Sequence, residues 1–159
     1  MKAPVHAFCI ALALGAAAGA VELPKNVTTA DVCAVVPGTL VAQALGAKLI
    51  EAKLVRPDGA HARCVYTVTP PGVRSAKAVF ILWLHASGDF DDLRAYQDDP
   101  VGPVEALGDA AFVSYHRDSE RHDLFVLVRG VAAVEVTGPD AATVRTVASV
   151  AIGRLGPSR

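Results

Sequence analysis

The sequence predicts an α+β fold: an antiparallel sheet of six to seven strands carrying an N-terminal helix, a short middle helix and a long C-terminal helix. Three observations point there. Short apolar segments bounded by turn residues recur between residues 48 and 138. The last twenty residues instead space their apolar side chains at the helical period. Strands that come in runs, with helices interspersed, imply helices packed on an antiparallel sheet.

The chain opens "MKAPVHAFCIALALGAAAGA", one early charge at Lys2, an apolar run over residues 7–14, and Ala18 and Ala20 in an A-x-A arrangement. That is the pattern of a signal peptide cleaved after Ala20, so residues 1–20 are set aside from the fold. The run is too short and too rich in Ala and Gly to favour crossing about 30 Å of hydrocarbon. The expected product is exported, periplasmic or extracellular, with no membrane span once the leader is removed. Residues 21–28 read as a polar lead-in, with Asn26-Val27-Thr28 a glycosylation sequon only in a eukaryotic secretory pathway. Residues 29–156 read as one domain, long enough for a substantial core.

Cys9 departs with the leader, and "HAF" before it is no lipobox. Two cysteines remain, Cys33 and Cys64, and in an oxidising compartment a disulfide is their default state. Neither belongs to a C-x-x-C, which disfavours zinc. Loss of Lys2 leaves 14 basic and 16 acidic residues of both signs scattered along the chain. Without a basic stripe, nucleic acid is not an expected partner.

Asp31 to Ala34 suggests one helical turn, and Pro37 starts a helix that Gly46 stops, with Leu40, Val41, Ala44 and Leu45 on its buried face. "KLIEAKLV" is a strand ending at the turn Pro57-Asp58-Gly59. "ARCVYTVTP" is a second, and "AKAVFILWLHA", apolar on both faces, a third in mid-sheet, covered on both sides. In "SGDFDDLRAYQDDP", Asp89 caps a short helix that turns Phe90, Leu93 and Tyr96 inward. "PVEAL", "DAAFVSYHR", "HDLFVLVRG" and "AAVEVTG" follow as strands. Pro139 and Asp140 start the last helix, Gly156-Pro157 stop it, and Val144, Val147, Ala148, Ala151 and Leu155 form its apolar stripe. Arg145, Ser149 and Arg154 point away from that stripe. The two halves suggest an imperfect duplication of a helix-and-meander unit, without a residue-level repeat.

"CAVVPGTLVAQALG" resembles the N-terminal motif of an uncharacterised family of small exported bacterial proteins, often lipoproteins. The shared pattern is Cys33, a helix ending at Leu45-Gly46, Cys64 in a strand, "ALGDAAF" and a C-terminal helix over 140–155. It departs from the family in lacking a lipobox and in having Tyr66 two residues after the second cysteine, where Trp is usual. The family has no established activity, so the resemblance implies a fold and little more.

Enzyme signatures are absent: no G-x-S-x-G, H-E-x-x-H, phosphate loop or C-x-x-C. "HASGD" sets His85, Ser87 and Asp89 close together, but strand-to-helix punctuation explains them as well as a triad does. In "HRDSERHD", His116 and His122 are weak candidate metal ligands, with Asp118 or Asp123 nearby, at what reads as a solvated hairpin tip. The aspartates of "GDFDDLRAYQDD" lack the Gly and Glu of a calcium loop. Gly108-Asp109 reads as a turn, with Asp109 bonding its own backbone two residues on. The expectation is a non-enzymatic domain without a cofactor that binds a protein partner or small ligand in the envelope or medium. Its groove is expected near Trp83, Tyr96 and Tyr115. The alternatives are a small secreted hydrolase using His85 with Ser87 or Asp89, and a structural envelope component.

Overall fold

The computed structural model describes residues 27–56, 61–72, 76–97 and 101–156, with only the backbone of Val101. The leader, Cys9, Asn26 and the turn expected at 57–59 lie outside those residues.

Two meanders make the sheet. β1 (Lys48–Val55), β2 (Arg63–Thr69) and β3 (Ala78–His85) form one; β4 (Val101–Pro103), β5 (Ala110–His116), β6 (Arg121–Val128) and β7 (Ala132–Gly138) form the other. β3 and β7 pair antiparallel, giving the order β1-β2-β3-β7-β6-β5-β4. The central strand is therefore β7, not the apolar β3. β7 is buried along nearly its whole length, whereas Val79 of β3 is 47 % exposed. "PVEAL" was expected as a strand, but the edge strand β4 lies earlier and ends at Pro103, which has no N–H to offer a ladder.

Because side chains alternate across a strand, the register assigns every residue to a face. One face presents Cys64, Tyr66, Phe80, Leu82, Leu84, Val134, Val136, Leu124 and Val126, all buried. α4 (Ala141–Leu155) lies over β6 and β7 on that face, and its five stripe residues are buried as the spacing requires. Asp140 caps it, accepting from the Thr143 amide at 2.9 Å and from the Thr143 hydroxyl at 2.7 Å. α1 (Val32–Val35) and α2 (Gly38–Ala44) complete the layer over β1–β3. α2 buries Gly38, Val41 and Ala42 rather than the expected Ala44, which is exposed. Gly38 sets this rotation: a Cβ there would sit 2.8 Å from the Ala52 Cβ, so the bare backbone is what meets β1. Arg154 turns back instead of facing away, its Nε donating to the Val35 carbonyl at 3.3 Å. The lead-in is also more ordered than its polarity implied, since residues 27–29 form a 3₁₀ turn with Val27 buried.

Cys33 at α1 and Cys64 in β2 form a disulfide, their Cα atoms 5.1 Å apart. Beside it the buried Tyr66 hydroxyl donates to the Val36 carbonyl at 2.7 Å. At the far end of the sheet, Gly108 has φ +63°, and a Cβ there would approach the Leu127 carbonyl oxygen and Val126 Cγ1 to 2.5 Å. Asp109 does more than punctuate its own turn. It reaches across to accept from the Arg129 amide at 2.7 Å, while its own amide donates to Leu127. Asp109 is structural, and it clamps a neighbouring hairpin.

Candidate functional site

Among the described residues, the opposite face is covered only at one end. There α3 (Phe90–Ala95), less than two turns long, lays Phe90 and Leu93 on Phe112, Phe125 and Ala133. The Phe112 and Phe125 rings stack with centroids 4.5 Å apart. Asp89 makes no side-chain cap, and Tyr96, expected to point inward, is 79 % exposed. Tyr96 follows the last helical residue, and six positions from Phe90 carry it about 240° around the helix axis, away from the inward face.

Beyond α3 the face becomes polar. Register places Arg63, Trp83, Glu135 and Phe125 in one row across β2, β3, β7 and β6. Val65, Ile81, Thr137, Asp123 and Ser114 form the next row. His85 and His116 belong to this face by the same alternation. Each histidine holds a carboxylate on a neighbouring strand: His85 Nε2 to Glu135 Oε2, and His116 Nε2 to Asp123 Oδ2, both 2.7 Å. The Glu135 and Asp123 side chains are 18 % and 14 % exposed; His85 is shielded with its partner, whereas His116, 38 % exposed, meets water at the rim. The Arg63 guanidinium lies 4.9 Å above the Trp83 ring, whose other neighbour is the nearly parallel His85 imidazole.

Two adjoining depressions result. One, of about 450 Å³, is lined by Leu93, Tyr96, Gln97, Phe125 and Asp118 together with His116, Asp123 and Glu135. The other, of about 430 Å³, shares those last three residues and adds Arg63, Trp83, Arg121 and Thr137. Among the described residues, three buried polar atoms on this face have no hydrogen-bond partner: Arg63 Nε, Ser114 Oγ and Asp123 Oδ1. A buried polar group without a partner is uncommon and costly in a folded protein.

The sequence candidates fare unequally. His85 lies in the groove, but its Nε2 is engaged by Glu135, and among the described residues neither Ser87 nor Asp89 bonds to it. Ser87 and Asp89 serve the 3₁₀ turn that leads into α3. No triad is assembled from them. His116 and His122 are not brought together: they project from opposite faces of the β5–β6 hairpin. His122 packs instead on Tyr115, ring centroids 4.8 Å apart, so Tyr115 also lies on the wrong face for the groove expected around it. Among the described residues no three His, Cys, Asp or Glu side chains gather to hold a metal ion. Trp83 is where the groove was expected. Ser114 is 1 % exposed and its hydroxyl does not reach His116, so the His116–Asp123 pair activates no nucleophile there.

Glu135 and Arg63 were missed. Glu135 is the lone acid in "AAVEVTG", and an unpaired acid in an otherwise buried strand was the available signal. What the groove offers is recognition chemistry: guanidinium donors, carboxylate acceptors and aromatic surface in one open concavity. The chain matches no protein-family model, no curated protein and no solved structure.

Proposed function

We propose that this chain is an exported, non-enzymatic binding module that holds a small polar ligand in the groove opposite α4. The observation that carries the reading is the pair of adjoining depressions meeting at His116, Asp123 and Glu135. Export is supported by the leader pattern of residues 1–20 and by the Cys33–Cys64 disulfide, a bond typical of oxidising compartments. The resemblance to exported bacterial proteins of unknown activity agrees with that address. A small ligand is favoured over a protein partner because the groove is concave and polar, where a docking face would be flat and apolar.

The test is a thermal-shift screen of small polar metabolites against wild type and Glu135→Gln. A ligand at a hundredfold excess over Kd adds about 2.7 kcal/mol of stability, a Tm rise of several degrees. The expected result is a compound that stabilises wild type and not the variant. No stabilising compound, or equal stabilisation of both proteins, would refute the reading.

A further inference from the structure

We infer that the groove selects a short zwitterion, a di- or tripeptide-sized molecule with an anionic group at the Arg63 end and an ammonium group at the Asp123 end. This rests on the groove being the binding site. The two depressions differ in charge. Arg63 and Arg121 line only the smaller one, and among the described residues neither forms an ion pair. Arg63 is held over Trp83, so its planar fork is oriented before any ligand arrives. A guanidinium so placed suits a carboxylate, which it can bind through two parallel N–H donors.

Asp118, Tyr96 and Gln97 line only the larger depression. Where the two meet, His85 and His116 each occupy one oxygen of Glu135 and Asp123. The second oxygen of Asp123, Oδ1, is buried and unpartnered. An acceptor in that state is relieved by a donor, and an ammonium group beside Asp118, with Phe125 and Tyr96 against its carbon chain, supplies one. A purely anionic ligand would lie against Glu135 and leave Asp123 Oδ1 unmet. A purely cationic one would face Arg63 and Arg121. Only a molecule carrying both charges answers both ends.

The span follows from the sheet. Arg63 is on β2 and Asp123 on β6, three strand spacings apart, or about 14 Å between strand axes. A hydrogen bond of about 2.9 Å at each end leaves about 8 Å of that separation for the ligand to bridge. A peptide extends by about 3.4 Å per residue, so two or three residues fit.

The experiment is calorimetric titration of the disulfide-bonded wild-type protein with trialanine, N-acetyl-trialanine and trialanine amide. The inference expects trialanine to bind and each blocked form to bind at least tenfold more weakly. Arg63→Gln should abolish the preference for the free carboxylate while leaving the penalty for acetylation. A blocked peptide binding as tightly as trialanine overturns the inference. So does silence from all three peptides when another compound binds the groove and loses binding in Glu135→Gln; the groove reading then stands without it. If nothing binds in a manner sensitive to Glu135→Gln, the groove reading fails too.

Discussion

Tyr66 and Val36 are joined by a buried 2.7 Å hydrogen bond, hydroxyl to carbonyl, that fixes α1 against β2 next to the disulfide. The contact satisfies a carbonyl at the C-terminal end of α1, where no further helical turn is available to do so. Tyr66→Phe keeps the ring and removes the bond, leaving the Val36 oxygen unmet. A loss of about 1–3 kcal/mol is expected in urea unfolding. An unchanged midpoint would show that the bond contributes nothing.

The same residue predicts an alkaline limit. Burial, helped by the negative charge of Asp31, pushes the Tyr66 phenol well above its ordinary value. Its contribution is whole below the unfolded-state value of about 10. Above that pH the unfolded chain loses the proton while the folded one keeps it, so stability falls as pH climbs toward the folded-state value. Stability measured against pH should therefore decline above about pH 10, and Tyr66→Phe should remove that part of the decline.

Cys33 and Cys64 close a loop across 31 positions. Loop-closure entropy assigns such a bridge about 3–4 kcal/mol. Replacing both cysteines with serine should cost that much in denaturant unfolding. Intact-mass measurement under non-reducing conditions should show the two-hydrogen deficit of one bridge in the wild type.

Asp140 gives an acidic counterpart. Partial burial opposes its charge, but bonds from the Thr143 amide and hydroxyl and from the Ala142 amide outweigh it and lower its pKa. The stabilisation is present above the ordinary aspartate range and is lost as pH falls through the folded-state value. Asp140→Ala should cost about 1 kcal/mol at neutral pH and less in acid. A penalty that does not shrink in acid would mean that the charge is not what caps α4.

Most of the fold was legible because its signals are local. β1 and β7 carry the bounds of their apolar runs, and the stripe of α4 follows from spacing alone. The site was less legible because it depends on strand order. Only the β3–β7 pairing brings His85 to Glu135, fifty residues away. Only the location of the helical layer decides which face is left open. Trp83 and Tyr96 line the groove as their aromatic character suggested, Tyr96 from a largely exposed position, whereas Tyr115 faces the helical layer's side of the sheet. The face that Tyr115 takes is not visible without knowing how the halves join.

The most decisive measurement is chemical-shift mapping of the ¹⁵N-labelled protein with the compound that stabilises it most. The largest changes should fall on Trp83, including its indole N–H, and on His116, Asp123 and Glu135. Changes gathered instead around the apolar cavity of about 150 Å³ between Pro71, Phe80 and Pro139, or along α4, would place binding elsewhere and contradict the groove as the site.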